Sequence, residues 1–295
     1  MLLEMIDVLT LNYNDAETTI HFVNSVKDYE SVSHILVVDN NSTDDSLSKL
    51  SLIENDKIRI LVSEKNGGYG AGNNLGIRFL KENFNSKYIL LSNPDVMVDE
   101  SVLIDLEKFF QNHSDYTIAA PFMLNAKMER QYNTAFKIPK KIEYILSFEV
   151  FFSKFLKPFY YPDILEKLPE IKNVGAVSGS LFMMNVDRMM KYGMFDERFF
   201  LYCEELVLGK KLKDSNQKIA LLPKLTFIHN HSASINKTYK TNLAKQRMLM
   251  NSKIFFFKEY LNANVVEIII AKCLSKLSLL EVLLISLFSN RRCRQ

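Results

Sequence analysis

Short apolar runs and polar, glycine-bearing turns alternate through the first hundred residues, and the segments between the runs carry apolar positions at helical spacing, the rhythm of an α/β domain. Residues 6–11 read as a buried strand, and Asn12-Tyr13-Asn14-Asp15 as a turn able to cap a helix over 16–27. A second strand over 34–38 ends in the polar loop Asp39-Asn40-Asn41-Ser42-Thr43-Asp44-Asp45-Ser46, which offers several N-caps for the next helix. A third strand is expected over 58–62. The glycine-rich stretch 66–76 leads into a helix running through Lys81, and a fourth strand over 88–91 ends at Asn93-Pro94-Asp95. Each strand hands polar residues to its C-terminal end, the edge at which open α/β sheets bind ligands. From about 134 to 172 the texture turns aromatic and basic, with Phe148, Phe151, Phe152, Phe155, Phe159, Tyr160 and Tyr161 around Lys154 and Lys157, as in an insertion. Regular α/β character returns over 174–184 and 195–208. A last strand is expected over 219–222, and the chain beyond His229 reads as helical.

With 295 residues, 47% of them apolar, the chain can bury a real core, and the pattern divides it into an α/β domain over 1–235 and a helical extension over 236–295. A net charge of +3 does not supply the wide basic face of a dedicated nucleic-acid binder. The three cysteines, Cys203, Cys273 and Cys293, have neither zinc-site spacing nor the density of a disulfide scaffold, so a reducing, cytoplasmic setting fits them best. The first residues lack a basic n-region and a long apolar h-region, so no secretory leader is expected.

Several strand ends carry chemistry. Asp39 can accept hydrogen bonds from a nucleoside base or ribose, and serves equally well as a turn residue. The stretch Asn66-Gly67-Gly68-Tyr69-Gly70-Ala71-Gly72-Asn73-Asn74 can turn backbone N–H groups toward an anion, although it lacks the Gly-Lys-Ser/Thr of a P-loop. Asp95, fixed by Pro94, suits a hard divalent cation that neutralises a diphosphate leaving group, where an isolated Asn-Pro-Asp is more often a turn. The segment Phe195-Asp196-Glu197-Arg198-Phe199-Phe200-Leu201-Tyr202-Cys203-Glu204-Glu205 gathers four carboxylates with aromatics, and acids placed partly in an apolar pocket are raised toward the range of a general base. The alternative is a solvated acidic helix start. His229, before Asn230-His231, can bring an imidazole to a metal or serve as a hydrogen-bonded surface residue.

Taken in order, these segments resemble the family 2 glycosyltransferases of GT-A fold, a Rossmann-like nucleotide-diphospho-sugar transferase domain, and in particular the rhamnosyltransferase-like branch that builds surface polysaccharides. The similarity runs over roughly residues 5–235, through Val8-Leu9-Thr10-Leu11-Asn12-Tyr13-Asn14, Val37-Val38-Asp39-Asn40-Asn41-Ser42-Thr43-Asp44, the glycine-rich stretch, Leu91-Ser92-Asn93-Pro94-Asp95-Val96, Val177-Ser178-Gly179-Ser180 and Gly193-Met194-Phe195-Asp196-Glu197-Arg198. The resemblance implies an inverting transfer of a sugar from a nucleotide diphosphate donor, rhamnose from dTDP-rhamnose or a hexose from a UDP-sugar, with Mg²⁺ or Mn²⁺. It implies donor contacts from Thr10, Asn12, Asp39, Asn66, Gly67, Asn74, Asn93 and Asp95, a metal held by Asp95 with His229, and an acceptor side at Gly179, Asp196 and Glu197. Glu205 stands where the family places its catalytic acid, with Glu204 supporting it. The further acid that commonly follows two residues on is replaced by Val207. A sugar-nucleotide-binding scaffold of the same fold is therefore the second reading. A nucleotidyltransferase is the third, although residues 9–14 lack the glycine and lysine that a triphosphate site needs.

Near the C-terminus, residues 265–288 are too often interrupted by charge (Glu267, Lys272, Lys276, Glu281) to span a bilayer. At 100° per residue, Val266, Ile269, Ile270, Cys273, Leu277, Leu280, Leu284, Leu287 and Phe288 share one face, opposite serines and lysines, and Arg291-Arg292-Cys293-Arg294 follow. That is the form of a helix lying in a membrane interface, as a lipid-linked saccharide acceptor would favour, with the aromatic and basic segment 148–161 as a second contact. Packing on the catalytic domain, or on the partner in a homodimer, would produce the same pattern.

Overall fold

The computed structural model describes residues 4–148, 159–161, 164, 167–230 and 241–292. Its centre is a nine-stranded mixed sheet in the order β3-β2-β1-β4-β10-β6-β11-β5, with β8 paired to β11. The strands are β1 (Ile6–Asn12), β2 (Val32–Asp39), β3 (Ile58–Val62), β4 (Tyr88–Ser92), β5 (Val96–Met97), β6 (Tyr116–Leu124), β8 (Lys172–Asn173), β10 (Leu181–Asn185) and β11 (Lys218–His229). A small separate sheet pairs β7 (Ala135–Phe136) with β9 (Ala176–Val177). The run β3-β2-β1-β4 is parallel, and β10 lies antiparallel between β4 and β6. Parallel strands need crossovers, and the helices that supply them bury both faces of the sheet. Ile6, Val8, Ile35, Val37 and Leu90 pack on α1 (Ala16–Val26), α2 (Ser46–Ser51) and α4 (Glu100–Asn112). Leu9, Leu36, Val38, Ile89 and Leu91 face α3 (Gly68–Phe84), α6 (Val186–Tyr192) and α7 (Glu204–Asp214). Alternation along each strand therefore feeds two cores.

The element pattern read from the sequence holds through the first four strands. The helix α4 and the nine-residue strand β6 were not anticipated, although β6 is buried at every position. Strand β11 extends to His229, well beyond the expected 219–222, because residues 226–228 run parallel to β6 after a bulge. The glycine-rich stretch requires a correction. It is helix rather than an anion-binding loop: α3 starts at Gly68, and Gly68, Gly72 and Gly76, spaced by four, form one face of it. A Cβ at Gly72 would lie 2.4 Å from the Leu11 side chain, and one at Gly76 would lie 2.3 Å from that of Leu9. The first backbone donors of the helix are already used, Gly68 N by the Asn66 carboxamide at 3.1 Å and Tyr69 N by the Phe200 carbonyl at 3.1 Å. The glycines serve close helix–sheet packing.

A third cluster joins α5 (Lys141–Leu146), Phe199 and Val207 to the C-terminal helices α8 (Asn242–Glu259) and α9 (Val265–Arg292). Phe151, Phe152, Lys154, Phe155 and Lys157 of the insertion, together with His231, Cys293 and Arg294, lie outside the described residues. Among the described residues no helix is long and apolar enough to cross a membrane.

Gly68 has φ +86°, and a Cβ on it would meet the Phe200 carbonyl oxygen at 2.1 Å. Gly68→Ala combines backbone strain with a backbone clash, so chemical denaturation should show a loss of about 2–4 kcal/mol; a loss below about 0.5 kcal/mol would mean that α3 and residue 200 are not so closely packed.

Candidate functional site

The C-terminal ends of β1 and β4 open onto a cavity of about 1050 Å³. Its polar half is lined by Asn12, Asn40, Asn66, Asn93, Asp95, Gly179 and His229, and its other wall carries Glu204 and Glu205 beside aromatic and aliphatic side chains. The strand ends, the 178–180 turn, the start of α7 and the helix α8 thus converge on one space, as expected at the C-terminal edge of an open sheet.

Asp95 and His229 come together through the sheet. The two-residue strand β5 pairs antiparallel with the end of β11, placing His229 opposite Val96, and Asn230 N donates to the Asp95 carbonyl at 3.0 Å. The result is His229 Nε2 at 3.1 Å from Asp95 Oδ1. That is roughly the separation of adjacent ligands on one cation with bonds of about 2.1 Å. No group of three or more His, Cys, Asp or Glu surrounds a point among the described residues, so a cation at Asp95 would complete its shell with diphosphate oxygens and water, the way Mg²⁺ is commonly held. One carboxylate and one imidazole fit that role.

Glu204 and Glu205 are presented by unusual backbone: Tyr202 and Cys203, immediately before α7, both lie in the left-handed region, at φ 72° and 70°. Such consecutive non-glycine residues cost of order 1–3 kcal/mol each and cluster where a side chain must be aimed. Glu205 Oε1 accepts from Gly179 N at 3.2 Å, and the Tyr69 hydroxyl donates to the Gly179 carbonyl at 2.6 Å. A Cβ on Gly179 would come within 2.7 Å of that hydroxyl, so only glycine fits between them. Glu204 is buried, and its Oε1 has no hydrogen-bond partner. Burial raises both carboxyls above the ordinary range, and the neighbouring Glu205 charge raises Glu204 further. Tyr69 is held well above its usual value by burial and then by these two acids. Cys203 is pushed up to about 12, chiefly by burial, which leaves it an inert thiol.

Other residues expected at the site stand away from the cavity wall. Thr10 is buried within β1, where its Oγ1 has no partner. Asp39 is buried too, and its carboxylate accepts from Asn12 Nδ2 at 2.7 Å, Ser42 N at 2.9 Å and Ser42 Oγ at 2.6 Å. It builds the loop that presents Asn40, whose Nδ2 donates to Asn66 Oδ1 at 3.0 Å. Gly67 precedes α3 and does not line the cavity. Asn74 is spent on the backbone N–H and C=O of Phe195 and on Glu197 Oε1, each at 2.9 Å. Asp196 is chelated by Arg198 and accepts from the Tyr260 hydroxyl at 2.6 Å, and these donors outweigh its burial and lower it to about 2. Asn74, Asp196 and Glu197 are therefore struts tying α3 and α8 to the acid-bearing loop. Val207, where a further acid was expected, is fully buried among Tyr144, Phe148, Phe199 and Phe256, a position that would not tolerate a carboxylate.

The sequence reading missed Lys253 of α8. Its Nζ lies in the cavity wall, donating to the Ser147 carbonyl and sitting 5.0 Å from the Phe148 ring centroid and 5.8 Å from that of Tyr144. Burial lowers it to about 8.

Residues 7–186 match the model of the family described as glycosyl transferase family 2. Among curated proteins, the low-salt glycan biosynthesis hexosyltransferase Agl10 of Haloferax volcanii is 25% identical over 258 residues, 86% of this chain and 78% of that protein. The rhamnosyltransferase WbbL of Escherichia coli K12 is 23% identical over 201 residues, 62% of this chain and 73% of that protein. Solved structures share the fold at low identity. GalNAc-T7 with UDP, GalNAc and Mn²⁺ superposes with TM-score 0.58 at 13% identity, covering 87% of this chain, which spans only 50% of that one. Staphylococcus aureus TarS 1–349 with UDP gives 0.54 at 16% identity, over 93% and 70% of the two chains. The Pyrobaculum calidifontis mannosyltransferase with GDP-Man and Mn²⁺ gives 0.56 at 11%, over 92% and 74%. The fold is GT-A.

Because both carboxyls are raised, each stabilises the folded protein at low pH, and that contribution is lost as pH rises through the folded value. Glu204→Gln should therefore raise stability above about pH 6 by on the order of 1–2 kcal/mol, a few degrees in Tm, with the gain vanishing near pH 4. Thermal melts across that range test it, and a gain independent of pH would point to packing and not charge.

Proposed function

The chain belongs to glycosyl transferase family 2, and from that premise we propose that it is an inverting, metal-assisted enzyme moving rhamnose or a hexose from a nucleotide diphosphate donor onto a lipid-linked saccharide during surface polysaccharide assembly. The observation that carries this reading is that Asp95 with His229, and Glu204 with Glu205, line one cavity. Asp95 and His229 would hold a divalent cation, which would supply neutralisation of the charge on the departing diphosphate. Asn12, Asn40, Asn66 and Asn93 supply neutral donors and acceptors around the nucleoside, with Asp39 holding that loop from behind. Glu205 takes the proton of the acceptor hydroxyl as that oxygen attacks the anomeric carbon on the face opposite the nucleotide, and the nucleoside diphosphate leaves. Burial brings the Glu205 carboxyl toward the working pH, which favours proton transfer. The Gly179 N–H aims it.

The membrane half of the proposal rests on α9. Its apolar face points outward: Val266 is 65% exposed and Leu280 51%, with Ile269, Ile270, Leu277 and Leu284 similar, whereas Ser275 and Ser278 are buried against the molecule. Among the described residues this face is not packed on the catalytic domain. A stripe of this kind, flanked by the exposed Lys272 and Lys276 and followed in sequence by Arg291, Arg292 and Arg294, suits an anionic bilayer surface, and no spanning segment is needed.

Two experiments test these readings. With a panel of nucleotide sugars, Glu205→Gln should cut donor turnover by about 10²–10⁴ at unchanged UDP affinity. Asp95→Ala should abolish the extra thermal stabilisation that Mn²⁺ adds to UDP. Wild-type protein that is stabilised by no donor, with or without metal, would contradict the enzyme. Separately, the full chain should co-sediment with vesicles containing anionic lipid, and the triple variant Ile269→Ser, Leu277→Ser, Leu284→Ser should stay in solution. A stable dimer in which this face is hidden, with no vesicle binding, would assign the face to a second copy.

A further inference from the structure

Besides its polar groups and the two acids, the cavity is lined by a set of aromatic and aliphatic side chains. Phe136, Phe159 and Tyr160 of the insertion line it together with Leu249 and Met250 of α8, and Tyr144 and Phe148 share a cluster with Met250 there. Lys253 stands in that wall one turn from Leu249 and Met250. It makes no ion pair with any carboxylate among the described residues, and its contacts are the Ser147 carbonyl and two aromatic ring faces. A cation held among aromatic rings without a counter-charge is costly, and the cost is recovered when a ligand brings the anion. The aromatic and aliphatic side chains around it offer mainly apolar surface, with Ser147, Gln246 and the tyrosine hydroxyls as its polar points, so the ligand that satisfies both is an anion carried on a hydrocarbon. The same wall leads outward. Gln246, one cavity-lining position further up α8, donates to Ser278 of α9 at 2.6 Å, so the helix that closes the cavity is bonded to the helix whose apolar face is exposed.

We propose that Lys253 is the anchor for a phosphate group esterified to an apolar alcohol, and that the aromatic half of the cavity receives the lipid-proximal end of the acceptor. This rests on the glycosyltransferase reading above and deepens it. It assigns the acceptor phosphate to α8 and the donor diphosphate to Asp95 and His229, two different parts of the lining of one cavity. Lys253 is then a positioning residue, fixing how far the acceptor hydroxyl reaches toward Glu205.

Farnesyl phosphate is a suitable probe for titration calorimetry on the full chain, with farnesol and inorganic phosphate as its separated halves and UDP with Mn²⁺ to report the donor end. The expected result is binding of farnesyl phosphate at least tenfold tighter than either half. Lys253→Gln should weaken it tenfold or more and Lys253→Arg should restore most of the affinity, with UDP binding unchanged in both variants. Equal farnesyl phosphate affinity in wild type and Lys253→Gln would overturn the proposal. So would farnesol or inorganic phosphate binding as tightly as the ester, or a loss of UDP affinity in step with that of the ester, which would move the lysine to the donor diphosphate or to the fold. UDP that fails to bind wild type counts against the glycosyltransferase reading itself. UDP that binds while farnesyl phosphate does not counts against Lys253 alone.

Discussion

The close approach of α3 to its surroundings holds the acid side of the cavity in place. With no side chain at Gly72 and Gly76, the helix settles onto Leu11 and Leu9 of β1 at a distance that no Cβ there would permit. Its first turn then reaches residues far along the chain. The Phe200 carbonyl receives Tyr69 N, the Tyr69 hydroxyl reaches the Gly179 carbonyl, and Gly179 N in turn holds Glu205. Asn74, two turns on, grips the backbone of Phe195 and the side chain of Glu197. A helix whose first residues line the cavity therefore carries the position of the acids that line it too. A bulky residue on the glycine face would move Glu205 without touching it.

Charge is distributed by the same logic. Four carboxylates occur within eleven residues, and their surroundings drive them apart. Asp196, given Arg198 and Tyr260, falls to about 2 and stays ionised as a strut. Glu204 and Glu205 receive almost no compensation and rise. The strut joins the acid-bearing loop to the end of α8, and α8 also supplies Lys253, so the low-pKa acid braces a helix that lines the cavity. The difference comes from neighbours and not from residue type, which is why the acids of one short segment divide into scaffold and chemistry.

Much of this was legible beforehand, for identifiable reasons. Short unbroken apolar runs give β1, β2 and β4 and their buried depth, and the polar residues that end those strands lead to Asn12, Asn93 and Asp95 at the cavity. What local pattern could not supply was which polar groups are already consumed. Asp39 and Asn74 look like ligand contacts in the sequence and are saturated by partners 27 and 121 residues away. The glycine stretch reads as an anion loop because glycine in isolation signals freedom, while here it signals contact. Lys253 was invisible because a lysine in an exposed-looking helix is ordinary; only the packing of α8 against the insertion turns it inward. Val207 carried a usable signal, since an apolar residue at the position of a missing acid, four residues after Cys203 on α7, faces the core.

The helix α9 shows the limit of amphipathicity as evidence and how structure extends it. The sequence places Val266, Ile269, Leu277 and Leu280 on one face and the serines on the other, but it does not say which face is inside. In a helix stabilised by its own domain the leucines would point in. Here Ser275, Ser278 and Ala271 are the buried positions, with Leu274 packed against the third core, and Ser278 is held by Gln246 of α8. Burying small and hydroxylated residues releases little hydrophobic free energy compared with leucines, so the leucines and isoleucines left exposed on α9 add little to the stability of this chain. The apolar area it leaves in water is buried once a bilayer surface or a second copy covers it. A helix whose inner face is bonded to a cavity-lining helix while its outer face is apolar and exposed links whatever covers that face to the geometry of the cavity.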